Sequence, residues 1–468
     1  MKPRVTMREA LADPNLLGAA IPGDSWKVWR TLLIAMMGEA LTDDERVIFE
    51  AVTGRPHEPG QPVDEFWAIV GRRAGKTRAA GVLAAYVSTL CDHSGLAPGE
   101  RGVLPIMAAT TEQADRAFQH VTGVISQGKV IAGSILSQTA DLVRLNTGID
   151  IQIRPANYRT IRGVTSVAAI ADEVAFWAIE GSANPDAAIL AAVRPSLATT
   201  GGPLFVISSP YARRGELWST YRRDYGVDGD RLILVAKGTS RFFNSTLPQA
   251  TIDRAYARDP QAAAAEYGGE FRSDVEAFVT AEAIDAVVSR SVRQRGFLHS
   301  TKYFGFADPS GGSRDAFTMA IAHAEGDKAV LDVVRERRPP FSPEGVVEDF
   351  AKTFKSYGIT SIVGDRYSGE FVRELFRKQG ISYEVSEKNK SEIYSELLPA
   401  INSQHVDLLD NERMTGQLVQ LERRTSRTGK DSIDHPPGGH DDLINAAAGA
   451  LVKASPLGRP QYRMLEVV

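Results

Sequence analysis

Phe66-Trp67-Ala68-Ile69-Val70-Gly71-Arg72-Arg73-Ala74-Gly75-Lys76-Thr77 decides the reading of the first half of this chain. Apolar residues Phe66 to Val70 read as a buried strand, and they break into a Gly/Arg loop that ends in Gly75-Lys76-Thr77 at the start of a helical pattern. A loop of this kind turns backbone N–H groups toward phosphate, and the positive end of the following helix faces the anion. Lys76 would neutralise the β/γ oxygens and the Thr77 hydroxyl would hold Mg²⁺. The spacing is irregular. The usual pattern has a Gly where Val70 stands, and Gly71 comes one residue late. Gly71, Arg72, Arg73, Ala74, Gly75, Lys76 and Thr77 are therefore the expected nucleotide-binding residues.

A phosphate loop requires an acidic Mg²⁺ partner at the C-terminal end of another buried strand. Ser166-Val167-Ala168-Ala169-Ile170-Ala171-Asp172-Glu173 supplies it. Asp172 is expected to hold the metal, and Glu173 to orient and deprotonate the attacking water. Hydrolysis also needs a cation against the equatorial γ-phosphate oxygens, which Arg72 or Arg73 could provide in cis. Leu204-Phe205-Val206-Ile207-Ser208-Ser209-Pro210 is a further apolar strand ending in hydroxyls. Its end is expected beside the strand of Asp172, where Ser208 and Ser209 could sense the γ-phosphate and pass its state to Arg213–Tyr225.

Strands are expected at Phe66–Val70, Val103–Ala108, Ile151–Arg154, Val167–Asp172, Leu204–Ser208 and Leu232–Ala236, alternating with helices. That order argues an α/β fold with a mostly parallel sheet covered on both faces. One helix follows Thr111, which reads as its cap, with Ala114, Ala117, Phe118, Val121 and Ile125 on one face. Upstream, Ser25–Leu41 carries Trp26, Val28, Trp29, Leu32, Leu33 and Met36 at helical spacing.

The chain's 468 residues suggest more than one domain, and its 43% apolar and 24% charged content is that of a globular protein. A net charge of −4 does not announce a nucleic-acid binder, though a local basic groove is compatible with it. The single Cys91 excludes an intramolecular disulfide and a cysteine zinc site, which fits a reducing cytoplasm. No signal-like or membrane-spanning apolar run is found.

A second pattern starts at Lys302. Strands Tyr303–Asp308, Ala316–His323 and Ala329–Arg335 come first. A helix capped by Ser342 with Pro343 at its first position follows. Then come strand Ser361–Asp365, helix Glu370–Lys378, strand Ile381–Val385, helix Lys390–Ile401, a polar helix around Gln417–Arg424 and a last helix from about Asp441 to Val452. This is the element order of a ribonuclease H-like domain with a mixed sheet. Asp308 ends one strand, Asp365 another, and Asp441 and Asp442 open the last helix. Carboxylates brought together in this way repel one another and are stable mainly around divalent metal. Two Mg²⁺ or Mn²⁺ ions about 4 Å apart would activate water and stabilise the leaving oxygen of a phosphodiester. Either Asp441 or Asp442 could be the principal ligand. Asp315 and Glu370 are secondary candidates, His435 and His440 read as polar loop residues, and His440 could assist. Arg413 to Lys430, with Arg423, Arg424 and Arg427, is the best local stretch for DNA contact.

The expected boundaries are a helical lead-in at 1–60, a P-loop ATPase domain at 61–270, a linker at 271–300, a ribonuclease H-like nuclease domain at 301–455 and a tail at 456–468. This combination resembles the large terminase subunit of tailed bacteriophages. The residues carrying the resemblance are Gly71–Thr77, Ala171-Asp172-Glu173, Ser208-Ser209-Pro210, Asp308–Gly312, Gly364-Asp365 and His440-Asp441-Asp442-Leu443. The displaced Gly is itself a mark of that family's phosphate loop. The resemblance implies that Arg72, rather than Arg73, acts in cis on ATP, and that Ser208 and Ser209 form the coupling motif. It also implies ATP with Mg²⁺ at one site and two Mg²⁺ or Mn²⁺ at the other. The implied work is to cut concatemeric double-stranded DNA and pump it into a procapsid in the cytoplasm of an infected bacterium. Implied partners are a portal protein, a small terminase subunit and further copies in a ring, a pentamer when docked, with no membrane. The family's usual adenine-contacting Gln is not evident upstream of Gly71. Two other readings share parts of this motif set. One is a cellular translocase or helicase fused to a repair or restriction nuclease, which would want a second ATPase-like core after Ser209. The other is a decayed prophage remnant acting only by binding, against which Lys76 and every expected acid are present.

Overall fold

The computed structural model describes residues 2–155, 163–177, 185–311, 315–365, 369–425, 431–436 and 439–456. The chain divides into two compact units, one ending at Ser273 and the other beginning at Asp274.

In the first unit, β1 (Lys2–Pro3) and β3 (Cys91–Asp92) form a small antiparallel ribbon. The main sheet has eight strands: β2 (Glu65–Val70), β4 (Gly102–Ala108), β5 (Ile135–Gln138), β6 (Leu142–Leu145), β7 (Ile149–Pro155), β8 (Ala169–Asp172), β9 (Leu204–Ser208) and β10 (Ile233–Gly238). They lie in the order β10-β2-β9-β8-β4-β7-β6-β5. From β10 to β7 every pairing is parallel. The edge strands β6 and β5, which the apolar pattern did not suggest, add antiparallel pairings.

The order explains the continuous apolar runs. Phe66, Ala68 and Val70 of β2 enter the core on one face, and Trp67 and Ile69 enter a second core on the other. A strand buried on both faces cannot alternate apolar with polar residues. β9 lies between β2 and β8, pairing with both. The phosphate-loop strand, the Ser208 strand and the Asp172 strand therefore end side by side; the adjacency of the last two is the one expected from the sequence. The helix after β4 runs from Thr111 to Gln127, and its cap is Thr110, not Thr111. Thr110 has the extended backbone a cap needs and its hydroxyl accepts from the Gln113 N–H at 3.2 Å, whereas Thr111 is already the first helical residue.

The second unit is built on a seven-stranded sheet. Its strands are β12 (Val288–Ser289), β13 (Tyr303–Asp308), β14 (Phe317–Glu325), β15 (Lys328–Arg337), β16 (Ser361–Gly364), β17 (Ser382–Val385) and β18 (Val406–Leu409). Their order across the sheet is β12-β18-β15-β14-β13-β16-β17. β13, β14 and β15 form an antiparallel meander, β16 runs parallel to β13, and β17 runs parallel to β16. This strand order and these directions are those of a ribonuclease H-like fold. The helix Asp442–Ala454 lies on one face with Leu443, Ile444 and Ala447 in the core. Helices Pro343–Ser356 and Gly369–Lys378 cover the other with Phe350, Phe354 and Phe376.

Several local expectations change. The stretch expected to be a linker, 271–300, carries β11 (Val275–Ala277) and β12, which pair within the second unit. The polar helix ends at Gln420, and Arg423 and Arg424 lie on β19 (Glu422–Thr425), paired with β11 and β20 (Asp431–Asp434). Strand partners from distant sequence override the local helical pattern there. Ser342 stands at the N-cap before Pro343, but its hydroxyl bonds the Glu344 carboxylate at 2.5 Å and makes no capping bond. Among the described residues no helix is long and apolar enough to cross a membrane.

Candidate active sites

The first site is assembled at the ends of β2, β8 and β9. Gly75 has φ 86°, a left-handed conformation suited to glycine, and it starts the helix Lys76–Leu90. A side chain at Gly71 would place its Cβ 2.3 Å from Ser240 Oγ and 2.8 Å from the Glu266 carbonyl oxygen. That close approach explains why the loop's first glycine stands one position late: Val70 is still a buried strand residue, and the loop comes against Ser240 and Glu266 at Gly71.

Lys76 is buried, with only 6% of its surface exposed. Its ammonium donates to the carbonyls of Val70 at 2.9 Å and Gly71 at 3.2 Å and to Ser209 Oγ at 2.9 Å. It also lies 3.6 Å from Glu173 Oε1. The Ser209 N–H donates to Glu173 Oε2 at 2.9 Å, and Ser208 Oγ reaches the same oxygen at 3.4 Å. Ser209 thus touches both the lysine and the acid, and Ser208 touches the acid alone. Glu173 sits at φ 54°, a left-handed backbone that a non-glycine residue adopts at a cost of about 1 kcal/mol or more.

Asp172 is buried, and its Oδ1 has no hydrogen-bond partner among the described residues. Burial, and then the neighbouring Glu173, push its carboxyl well above the ordinary range against the pull of Lys76. A buried acceptor left unsatisfied is costly, and a cation at that oxygen relieves the cost. The residues therefore fit a divalent ion beside the phosphate loop. Arg72 is largely exposed, its guanidinium 3.3 Å from Glu266 Oε1. Arg73 sits at φ 63°.

The second site is a cleft of about 1210 Å³ lined by Asp308, Asp315, Asp365, Asp441, Asp442, His440 and further polar residues. Asp308 is the last residue of β13 and Asp365 directly follows the adjacent parallel strand β16, so sheet pairing brings them together. Asp308 Oδ2 accepts from Asn445 Nδ2 at 2.8 Å. Loss of hydration drives its pKa up to about 8, Asn445 opposes this, and Asp442, Asp365 and Asp441 add repulsion. The Asp365 carbonyl accepts from Tyr383 OH at 3.2 Å.

Asp441 and Asp442 have different surroundings. Asp441 Oδ2 accepts from Tyr394 OH at 2.9 Å and lies 3.0 Å from Lys390 Nζ. Asp442 Oδ2 is buried without a hydrogen-bond partner among the described residues, and burial followed by Asp441 raises its carboxyl. Asp441 is already charge-compensated, whereas Asp442 offers an oxygen that wants a cation. The donor set is all oxygen, which suits Mg²⁺ or Mn²⁺.

Lys390, Tyr394, Asp434 and Asn445 were not singled out from the sequence. Lys390 and Tyr394 are one helical turn apart on Lys390–Asn402, and Asn445 is a lone amide between Ile444 and Ala446 on a buried helix. A polar residue interrupting an apolar face was the available signal. Lys390 also pairs with Asp434 at 2.6 Å. One carboxylate oxygen each from Asp434 and Asp441 and a His435 ring nitrogen lie within 4.8 Å of one another.

Asp315 lines the cleft, but Glu370 is exposed and pairs with Arg373 at 3.3 Å. The expected DNA-contact arginines are engaged: Arg413 with Glu336 at 3.0 Å, Arg423 with Asp431 at 3.5 Å and Arg424 with Glu422 at 3.0 Å. Arg427, Lys430 and Gly312 lie outside the described residues.

No family model and no curated protein matches the sequence. Among solved structures, the HK97 bacteriophage large terminase is similar at 14% identity and a TM-score of 0.39, covering 89% of this chain and 96% of that one. The large terminase nuclease of thermophilic phage G20c with bound magnesium is similar at 16% identity and a TM-score of 0.32, covering 37% of this chain and 95% of that one. A large terminase from a thermophilic bacteriophage in complex with ADP is similar at 13% identity and a TM-score of 0.38, covering 84% and 94%.

Proposed function

We propose that the chain is the large subunit of a viral DNA-packaging motor, hydrolysing ATP to translocate double-stranded DNA into a procapsid and cutting concatemeric DNA. The observation that carries this reading is that each unit has, at strand or helix ends, a buried carboxylate oxygen with no hydrogen-bond partner among the described residues: Asp172 Oδ1, whose carboxylate feels the charge of Lys76, and Asp442 Oδ2 in the cleft of Asp308, 4.0 Å from His440 Nδ1. One chain thereby joins a nucleotide site to a carboxylate site suited to phosphodiester cleavage.

In this reading Lys76 would release its carbonyl partners to bind the β/γ oxygens, and Thr77 and Asp172 would hold Mg²⁺. Glu173, fixed by the Ser209 N–H, orients the attacking water and takes its proton. Arg72 leaves Glu266 and stabilises charge on the γ-phosphate. Because Ser209 touches both Lys76 and Glu173, loss of the γ-phosphate is felt at the end of β9. In the second unit Asp308, Asp365 and Asp442 hold the divalent ions, which would supply activated water and stabilise the leaving oxygen. Asp441, locked by Lys390 and Tyr394, orients the start of its helix. A portal protein, a small terminase subunit and a pentameric ring belong to the same proposal.

The test separates the two activities. Glu173→Ala should abolish ATP hydrolysis and spare metal-dependent plasmid nicking, and Asp365→Ala should do the reverse. Retention of either activity by its own variant would refute the corresponding assignment.

A further inference from the structure

The phosphate loop is held from outside by three side chains that belong to no nucleotide-binding motif in the sequence. Every carbonyl oxygen from Val70 to Gly75 is occupied. Lys76 takes those of Val70 and Gly71, and the helix N–H of Ala79 takes that of Gly75 at 3.0 Å. Between them, Arg72 O accepts from Ser240 Oγ at 2.7 Å, Arg73 O from Asn244 Nδ2 at 2.8 Å and Ala74 O from Trp29 Nε1 at 2.6 Å. Ser240 and Trp29 are fully buried.

A peptide unit that points its oxygen one way points its N–H the other. Among the described residues, none accepts from the N–H groups of Arg73, Ala74, Gly75 or Lys76. Anion-binding loops need this polarity, since a carbonyl turned inward repels phosphate. When phosphate arrives, Lys76 must leave Val70 and Gly71 to reach it. The pins from Ser240, Asn244 and Trp29 do not compete for the ligand and stay in place. Arg73 shows the need for them, because at φ 63° its peptide would otherwise relax toward the ordinary region.

The geometry points to Ser240, Asn244 and Trp29 as positioning residues for the triphosphate: they fix the orientation of three successive loop peptides and so preorganise the N–H groups that bind it. This rests on the proposed nucleotide site. It adds that affinity is set in part by the Gly238–Asn244 turn after β10 and by the helix Lys27–Met36.

The test uses the full chain and the probe Mg–ATPγS, with the parent, Lys76→Ala, Ser240→Ala, Asn244→Ala and the double variant. Each single variant is expected to weaken binding about three- to tenfold, and the double variant about tenfold or more, as loss of one or two net hydrogen bonds implies. In steady-state ATP hydrolysis KM should rise more than kcat falls, because Lys76, Glu173 and Arg72 remain. The thermal midpoint without nucleotide should match the parent while the nucleotide-induced shift shrinks. Unchanged affinity in the double variant overturns the proposal. So does a loss of affinity that only follows a lowered midpoint, which would make the pins structural. Trp29→Phe, which removes the indole donor together with part of the buried ring's volume, gives a variant outside the turn, and its affinity is read against its own nucleotide-free midpoint. If the parent itself fails to bind Mg–ATPγS, or Lys76→Ala binds as the parent does, the nucleotide site is refuted first and the pins fall with it.

Discussion

Replacing Asp308 with Asn should stabilise the metal-free protein while abolishing the nuclease activity proposed for it. Asp308 is held at a pKa of about 8 against an ordinary 3.8, by dehydration first and then by Asp442, Asp365 and Asp441. Below pH about 4 the group is protonated in folded and unfolded chains alike. As pH rises toward 8 the unfolded chain releases the proton and the folded chain keeps it, so stability is lost by up to about 1.4 kcal/mol per pH unit. Over the interval from 3.8 to neutrality this amounts to about 4 kcal/mol. The cleft is open to water, so roughly 2 kcal/mol is expected to be recovered by a neutral side chain. In Asp308→Asn the new amide oxygen could still accept from Asn445 Nδ2, which now donates to Asp308 at 2.8 Å. For a unit of this size the gain corresponds to a rise of about 4–8 °C in the midpoint of its transition. Scanning calorimetry of parent and Asp308→Asn in EDTA, from pH 5 to pH 8, measures it. The parent's midpoint should fall faster with pH than the variant's, and added Mn²⁺ should raise the parent selectively. Equal pH slopes, or a variant less stable than the parent at pH 8, would refute the argument.

Asp442→Asn should abolish Mn²⁺ binding by titration calorimetry, whereas Tyr394→Phe, which leaves Asp441 with Lys390, should lower cleavage only about tenfold at saturating metal. Arg72→Ala should reduce kcat for ATP by about a hundredfold or more with a smaller change in KM, as loss of the transition-state cation proposed above would require. Arg55 is buried and donates to the carbonyls of Gly226, Asp224, Asp230 and Ile233, so Arg55→Ala should cost about 2–4 kcal/mol in urea unfolding without shifting the KM for ATP.

Much of the architecture is written locally. An apolar strand, a Gly-Lys-Thr turn and a second apolar strand ending in Asp172-Glu173 suffice to place a P-loop sheet, because burial on both faces demands unbroken apolar runs. The acids Asp308, Asp365, Asp441 and Asp442 were legible for the same reason: each stands where a regular element stops or starts. Partnership at a distance was not legible. Arg423 and Arg424 continue a helical pattern, yet strand pairing with Val275 and Asp431 neighbours draws them into a sheet. Nothing adjacent to Asp441 or Asp442 distinguishes them. The fold does so, by setting Lys390 and Tyr394 against one and leaving on the other a buried oxygen with no hydrogen-bond partner among the described residues. Likewise Ser240, Asn244 and Trp29 acquire meaning only when β10 and the N-terminal helix are laid against the loop. Periodicity and turn chemistry act over a few residues and are carried by the sequence itself. Desolvation and hydrogen-bond polarity depend on what closes around a group, and that is set when distant segments pack.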